Sequence, residues 1–347
     1  MGRTRREWLG VRQRLGAAFA ERRCYAPHSD KEARLLRRHA LEDEVVEPFP
    51  RLFAPAASWD GLRQNERELH IIRGYARAHP DAVICSTSAA LLHGLPVSFS
   101  QLGTIHLYTS ADSPTASAAR IARHAASTPD TTTVDGVKVA PMVQAAVESM
   151  CSSPFIDGLA VADGLLRRLG IDRRFLGEIV QKLASRRKGV GTARKVAAYA
   201  DARAESGGES VARGVMICEG IVPTDLQRAL HDPVDEQSTY FADFVFELRN
   251  GKAVIGELDG KGKYVDPTLL GERTTVDALL SERKRESHIT LLGMPVARFT
   301  WSDVRTRGRL RQILTAAGVT PDALVPRDYR ALPDEPSRPW WTIPNAW

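Results

Sequence analysis

YFADFVFELRNGKAVIGELDG, residues 240–260, consists of two runs of aromatic and β-branched residues joined at Arg249-Asn250-Gly251. Such runs, bounded by turn residues, predict strands over 240–248 and 252–260. The turn decides which side chains share a face. A strict two-residue turn at Asn250-Gly251 puts Arg249 opposite Lys252 and Asp243 opposite Leu258, leaving Glu257 on the other side of the sheet. A three-residue loop, with Gly251 left-handed as a bulge residue, shifts the pairing by one. Leu248 then faces Lys252, Asp243 lies directly across from Glu257, and Asp259 shares that face by the two-residue period of a strand. Three carboxylates this close repel, and one is pushed toward protonation unless a cation holds them. Oxygen-only ligands point to Mg²⁺ or Mn²⁺, bound by Asp243, Glu257 and Asp259. An exposed polar face is the alternative; Phe241, Val245 and Ile255 on the same side weigh against it.

On the N-terminal side of this hairpin, AESGGESVARGVMICEGI (204–221) predicts a helix burying Val211, Val215 and Cys218 on one stripe. Glu209 falls in its first turn, where the helix dipole favours a carboxylate, and Arg213 follows four residues later, within pairing reach. On the C-terminal side, TTVDALLSERKRESHITLLG (274–293) predicts a helix with Val276, Leu279 and Leu280 inward. Its Glu282, Arg283 and Arg285 face either the acidic site and a polyanion or one another. PVARFTW (295–301) predicts an apolar strand ending in a core or edge tryptophan, and residues 321–347 show no period.

The front of the chain is more helical. RREWLGVRQRLGAAFAERR carries Trp8, Val11, Leu15 and Phe19 at helical spacing, and Ser29-Asp30 caps a second helix, KEARLLRRHAL. VVEPFPRLFAP then alternates and breaks at prolines like a small β-wing. LRQNERELHIIRGYARAHP is an amphipathic helix ended by Pro80. STSAALLHGLP is a short helix with Ser86 or Ser88 as N-cap and Gly94 as C-cap. TIHLYT (104–109) is a strand, TTVDGVKVA a hairpin around Asp135-Gly136, and 141–203 helical. His93 and His106 read as packing residues. SRRKGVGTARK (185–195) is dense in cations. Arg186, Arg187, Lys188 and Arg194 suit contact with phosphates, with a solvated hairpin tip as the alternative.

Composition bounds the rest. The 347 residues exceed one ordinary domain, and 43% hydrophobic with 26% charged residues matches a globular chain. The signals divide it into 1–60, 61–200, 201–320 and the tail 321–347. No run reaches the roughly 18 apolar residues a membrane span needs, and arginines occupy the place of a secretory core, so a cytoplasmic protein without membrane contact is expected. The four cysteines are scattered without metal spacing and read as buried thiols. A net charge of +6 suits a polyanionic partner. Neither GxxxxGK[ST] nor a strand-linked GxGxxG occurs, and Gly260-Lys261-Gly262-Lys263 is no phosphate loop.

Two resemblances sharpen these expectations. SAALLHGLP, the hairpin with Gly-Val-x-Val and the later ADGLLRRLG resemble actinobacterial proteins carrying an AbiEi-type antitoxin region behind a DNA-binding winged helix. The likeness covers about residues 5–175, with a degenerate winged helix in 1–60. Glu209, Asp243, Glu257-Leu258-Asp259-Gly260, ERKRES (282–287) and PVARFTW, in that order, resemble the very-short-patch-repair-like branch of the PD-(D/E)XK nucleases over about 203–316. This second likeness implies an α/β fold, a mixed sheet flanked by helices, behind an α+β N-terminal region. It further implies that Asp243 and Glu257 ligate a metal and that Glu209 completes or orients the shell. Where the superfamily has a lysine this chain has Asp259, and Lys261, of the same parity, is the cation that could replace it. The implied activity is metal-dependent DNA cleavage in repair, restriction or defence. A non-catalytic, antitoxin-like DNA-binding regulator on a retired nuclease scaffold is the other reading. DNA is the expected partner, with a second copy of the chain and a toxin protein as further candidates.

Overall fold

The computed structural model describes residues 3–110, 119–126, 130–235, 237–259 and 287–320. The protein is mixed α/β, and its chain divides into two compact units. The first takes in residues up to Ser153 together with Arg186–Lys188; the second comprises Pro154–Ser185 and the chain from Gly189 onward. The helices of 155–199, grouped by sequence with 61–200, fall in the same unit as the C-terminal sheet.

In the first unit, α1 (Arg3–Ala20) buries Val11, Leu15 and Ala18 at helical spacing. Helix α2 (Asp30–Ala40) begins at Ser29, whose hydroxyl accepts the Glu32 amide at 3.2 Å. Strands β1 (Val45–Phe49) and β2 (Leu52–Pro55) form the antiparallel pair expected of the β-wing, and Phe53 closes a small core with Leu36, Leu15 and Tyr25. Helices α3 (Ala56–Asp60), α4 (Gln64–Ala78) and α5 (Ser86–Leu92) follow. Strand β3 (Ile105–Thr109) runs parallel to β4 (Ile121–Ala125), a strand that no sequence signal marks. Strands β5 (Thr132–Val134) and β6 (Val137–Val139) pair across Asp135-Gly136, both at positive φ, as a tight hairpin turn requires. Ile84 bridges to both β3 and β6, and α6 (Met142–Ser152) completes the unit.

The start of α5 differs from the serine cap expected. Cys85 holds the cap position without a side-chain bond, and Ser86 adopts φ +50. The Ser86 amide donates to Glu148 Oε2 at 3.2 Å, so a buried carboxylate from α6 serves the helix terminus instead. Glu148 also accepts the Tyr108 hydroxyl at 2.6 Å and pairs with Arg187 at 2.9 Å. His93 Nε2 lies 2.8 Å from the Ala140 carbonyl, and His106 Nδ1 lies 2.9 Å from His124 Nε2, both packing roles.

In the second unit, α7 (Phe155–Leu169), α8 (Arg173–Ala184), α9 (Val190–Tyr199) and α10 (Gly207–Cys218) precede a four-stranded sheet. Its strands are β7 (Asp225–His231), β8 (Thr239–Glu247), β9 (Ala253–Asp259) and β10 (Val296–Thr300), in the order β10-β9-β8-β7. Pairing is antiparallel except between β9 and β10, so the sheet is mixed. Short helices α11 (Trp301–Arg305) and α12 (Arg309–Ala316) follow. Gly214 lets α10 approach α7: a Cβ there would stand 3.2 Å from Ile156 Cα. One residue earlier on α10, Arg213 donates to both oxygens of Asp163 on α7, at 2.6 and 2.8 Å, and to the Tyr199 carbonyl of α9 at 2.7 Å. Both charges are buried. Arg213 thus does not pair with Glu209, its neighbour in sequence; Asp163 presents both oxygens to Arg213 Nη2 out of water, where ion pairing is strongest. Among the described residues no helix is long and apolar enough to cross a membrane. Lys261, Lys263, Glu282, Arg283, Arg285, most of the helix expected over 274–293 and the tail 321–347 lie outside the described residues.

Two outcomes follow from this packing. Asp163→Ala strands a buried guanidinium and should cost about 3–5 kcal/mol in urea unfolding, while Asp163→Leu with Arg213→Met should recover most of it. Burial, the largest cause, holds His70 and His106 down at about 4. Their unfolded forms take up protons near pH 6.5, so the folded state loses stability as pH falls from about 6.5 toward 4 and is unaffected above. The unfolding midpoint followed by circular dichroism should drop across that window, and His70→Gln with His106→Gln should flatten the drop.

Candidate acidic site

The hairpin between β8 and β9 closes with the three-residue loop. The Leu248 amide donates to the Lys252 carbonyl at 2.7 Å, the Gly251 amide to the Leu248 carbonyl at 3.0 Å, and Gly251 has φ +77. The ladder then runs from Glu247 opposite Ala253 to Phe244 opposite Gly256. Carried one step further, this register sets Asp243 across from Glu257. Gly256 lies in a tight place: a Cβ would sit 3.1 Å from the Phe246 ring and 3.3 Å from Phe244 Cβ, so hydrogen alone fits between these aromatics.

Pairing lapses around Asp243. On one side the β8–β9 ladder has ended; on the other, β7 pairs with β8 through Leu226 and Arg228 but skips Gln227. Gln227 has φ +49, a left-handed conformation that costs a non-glycine residue about 1–2 kcal/mol. Its amide Nε2 donates to Glu209 Oε2 at 3.0 Å and to Asp243 Oδ1 at 3.3 Å, joining the two carboxylates. The other Asp243 oxygen accepts the Leu258 amide at 3.1 Å. Nothing in the string Thr-Asp-Leu-Gln-Arg marks Gln227 as part of a site. Only the irregular pairing brings it there.

Glu209 reaches this place because α10 starts against the sheet. A Cβ on Gly208 would lie 3.0 Å from the Trp301 ring and 3.4 Å from Leu258, so a glycine lets the helix terminus close in. The Glu209 carboxylate accepts from the Ser206 hydroxyl at 2.7 Å and the Glu205 amide at 2.9 Å, while its own amide donates to Ser206. That is a capping arrangement, and it explains the glutamate locally. The bond from Gln227 is what extends it to the sheet.

Glu257 pairs across to Arg298 of β10 at 3.3 Å, and Asp259 stands opposite Thr300. The tight cluster of Asp243, Glu257 and Asp259 expected from the alternation does not form. Among the described residues these three do not bring ligand atoms within 4.8 Å of one another; His39, Glu42 and Glu44, in the first unit, do. The physical reason is local: Gln227 and the Leu258 amide hold Asp243, and Arg298 draws Glu257. An arginine and an amide thereby offset the like-charge repulsion. The donor set still fits a Mg²⁺-type ion in kind and number, because such ions take one or two protein carboxylates and complete their shell with water and phosphate oxygens.

The cations expected to contact phosphates are differently placed. Arg187 is committed to Glu148, and Arg194 Nη2 donates to Gln181 on the neighbouring helix at 2.8 Å. Arg186 and Lys188 are exposed. Compared with known proteins, the chain matches no family model, no curated protein and no solved structure.

The strain at Gln227 has a measurable sign. In an ordinary strand glycine is less stable than alanine by about 0.5–1 kcal/mol. At this left-handed position the order should reverse, with Gln227→Gly more stable than Gln227→Ala by about 1 kcal/mol in urea unfolding.

Proposed function

We propose that the protein acts on DNA and that its second unit is a nuclease-like domain hydrolysing phosphodiester bonds with a divalent cation. The observation that carries this reading is the hydrogen-bonded link from Glu209 through Gln227 to Asp243, beside a β8–β9 register that, carried one step past the Phe244–Gly256 pair, brings Asp243 level with Glu257. Asp243 and Glu257 would hold the cation, and Asp259, two residues along β9, is the next oxygen donor. The cation would offset charge developing on the phosphate oxygens. Glu209 and Gln227 orient Asp243, as hydrogen-bonded neighbours commonly orient a ligating carboxylate. Arg298, paired with Glu257, can turn toward a phosphate once the carboxylate has another partner.

A second reading is favoured by a specific observation. Arg298 and Gln227 already balance the acidic groups, and Asp259 stands where the resembled nucleases carry a lysine. A DNA-binding regulator built on a non-catalytic nuclease scaffold fits this balance.

Plasmid DNA incubated with the purified chain and Mg²⁺ or Mn²⁺ separates the two. Cleavage should fall by about a hundredfold or more in Asp243→Ala and in Glu257→Ala, given that even orienting neighbours of metal sites are worth about 10–100-fold. Retained DNA binding without cutting by any form, the parent included, would reject the enzyme and leave the regulator.

A further inference from the structure

The second unit carries a cationic cleft away from the acidic hairpin. Between residues 167 and 195 the sequence holds ten basic side chains and two acidic ones. One of the two, Asp172, is occupied as the cap of α8, accepting the Phe175 amide at 2.9 Å. Helices α8 and α9 run as a hairpin, and a cleft of about 500 Å³ lies along them. Arg173, Arg174 and Arg194 line it, all three exposed. The rest of its lining is uncharged and mostly small: Gly177, Ala197 and Ala198, with Tyr199 beside them and Gln181 spanning to Arg194. A Cβ added at Gly177 would meet nothing within 4 Å, so the floor is open rather than filled.

From these features we infer that the α8–α9 cleft binds the sugar-phosphate backbone of duplex DNA, with Arg173, Arg174 and Arg194 as the phosphate-contacting residues. The inference rests on the reading of the chain as a DNA-acting protein and deepens it by naming where the duplex is held. Guanidinium forks match phosphate oxygens in a bidentate geometry that lysine cannot reproduce. A low floor lets a bulky, evenly charged backbone approach all three forks together, whereas an acidic peptide would need side-chain pockets that small residues do not provide. Gln181 holds the Arg194 guanidinium by one nitrogen, which orients the fork and leaves its other donors for a ligand. The expected contact thereby moves from the hairpin tip, where Arg187 is held by Glu148, to the walls of the cleft.

The test measures binding of the full chain to a fluorescently labelled DNA duplex in EDTA across a salt series, so that no cutting intervenes. The parent should bind with a steep salt dependence. Arg173→Ala/Arg174→Ala/Arg194→Ala should weaken binding by about tenfold or more and reduce the slope of log K against log salt by about 2–3, at roughly 0.9 per phosphate contact. The triple Arg→Lys variant should recover much of the slope. A control lacking three exposed cations elsewhere, Arg63→Ala/Arg77→Ala/Lys138→Ala, should keep the parent slope. Parent-like binding by the cleft variant, or equal loss in the control, overturns the cleft while the DNA reading stands. Tighter binding to an RNA duplex of the same sequence overturns DNA as the occupant. No binding by the parent at any salt overturns the DNA reading itself.

Discussion

Helix α10 is anchored by two polar attachments one turn apart, and the arrangement of the second unit depends on both. Arg213 enters a buried ion pair with Asp163 and donates to the Tyr199 carbonyl, which ties α10 to α7 and α9. Glu209 is held by Ser206 and reaches Gln227, which ties the same helix to the sheet. A buried ion pair contributes little net stability compared with apolar packing, but it is intolerant of misplacement because either charge left alone is costly. Its effect here is positional. With Gly208 and Gly214 admitting close contacts at two points, α10 has little freedom to slide, and Glu209 is brought to the sheet rather than left on the surface.

At the sheet end of this anchor the backbone gives up regularity. Gln227 leaves the β7–β8 ladder and takes a left-handed conformation, and in exchange its amide links carboxylates from α10 and β8. Strained residues that persist in a well-packed frame tend to gather at functional sites. The aromatic floor under the hairpin, where Phe244, Phe246 and Phe299 close around Gly256, supplies the rigidity to hold such a residue. Acidic groups at one place in the unit and an arginine cleft along α8–α9 at another give it both a negative centre and a positive track. A protein that handles a polyanion through a cation needs both.

The two units also handle buried charge differently. In the first, Glu148 collects a hydroxyl, a helix-terminal amide and Arg187, and the His106–His124 pair is kept neutral by burial. These groups satisfy one another and read as structure. In the second, two carboxylates from different elements, Glu209 and Asp243, share one neutral donor, Gln227, and Glu257 pairs with Arg298. That contrast is why the acidic hairpin, and not the larger polar cluster around Glu148, is the candidate site.

Much of this was legible in the residues themselves. Helical spacing marked α1, α4 and α10, Ser29 marked the start of α2, and Asn250-Gly251 with the alternation around it marked the β8–β9 hairpin, while its loop length stood between two and three residues until the Leu248–Lys252 bond fixed it. These are local matters, decided by backbone sterics and by which faces must leave water. What the tertiary structure alone decided involves partners distant in sequence. Arg213 chose Asp163 over Glu209, Glu148 replaced a serine cap on α5, β4 formed against β3, and the first helix after Ser153 packed against α10. The same holds for the site: Gln227 entered it, and Arg298 of β10 paired with Glu257. A side chain's choice of ionic partner depends on burial and on geometry contributed by other elements, and neither quantity is written in the spacing of residues along one strand or helix.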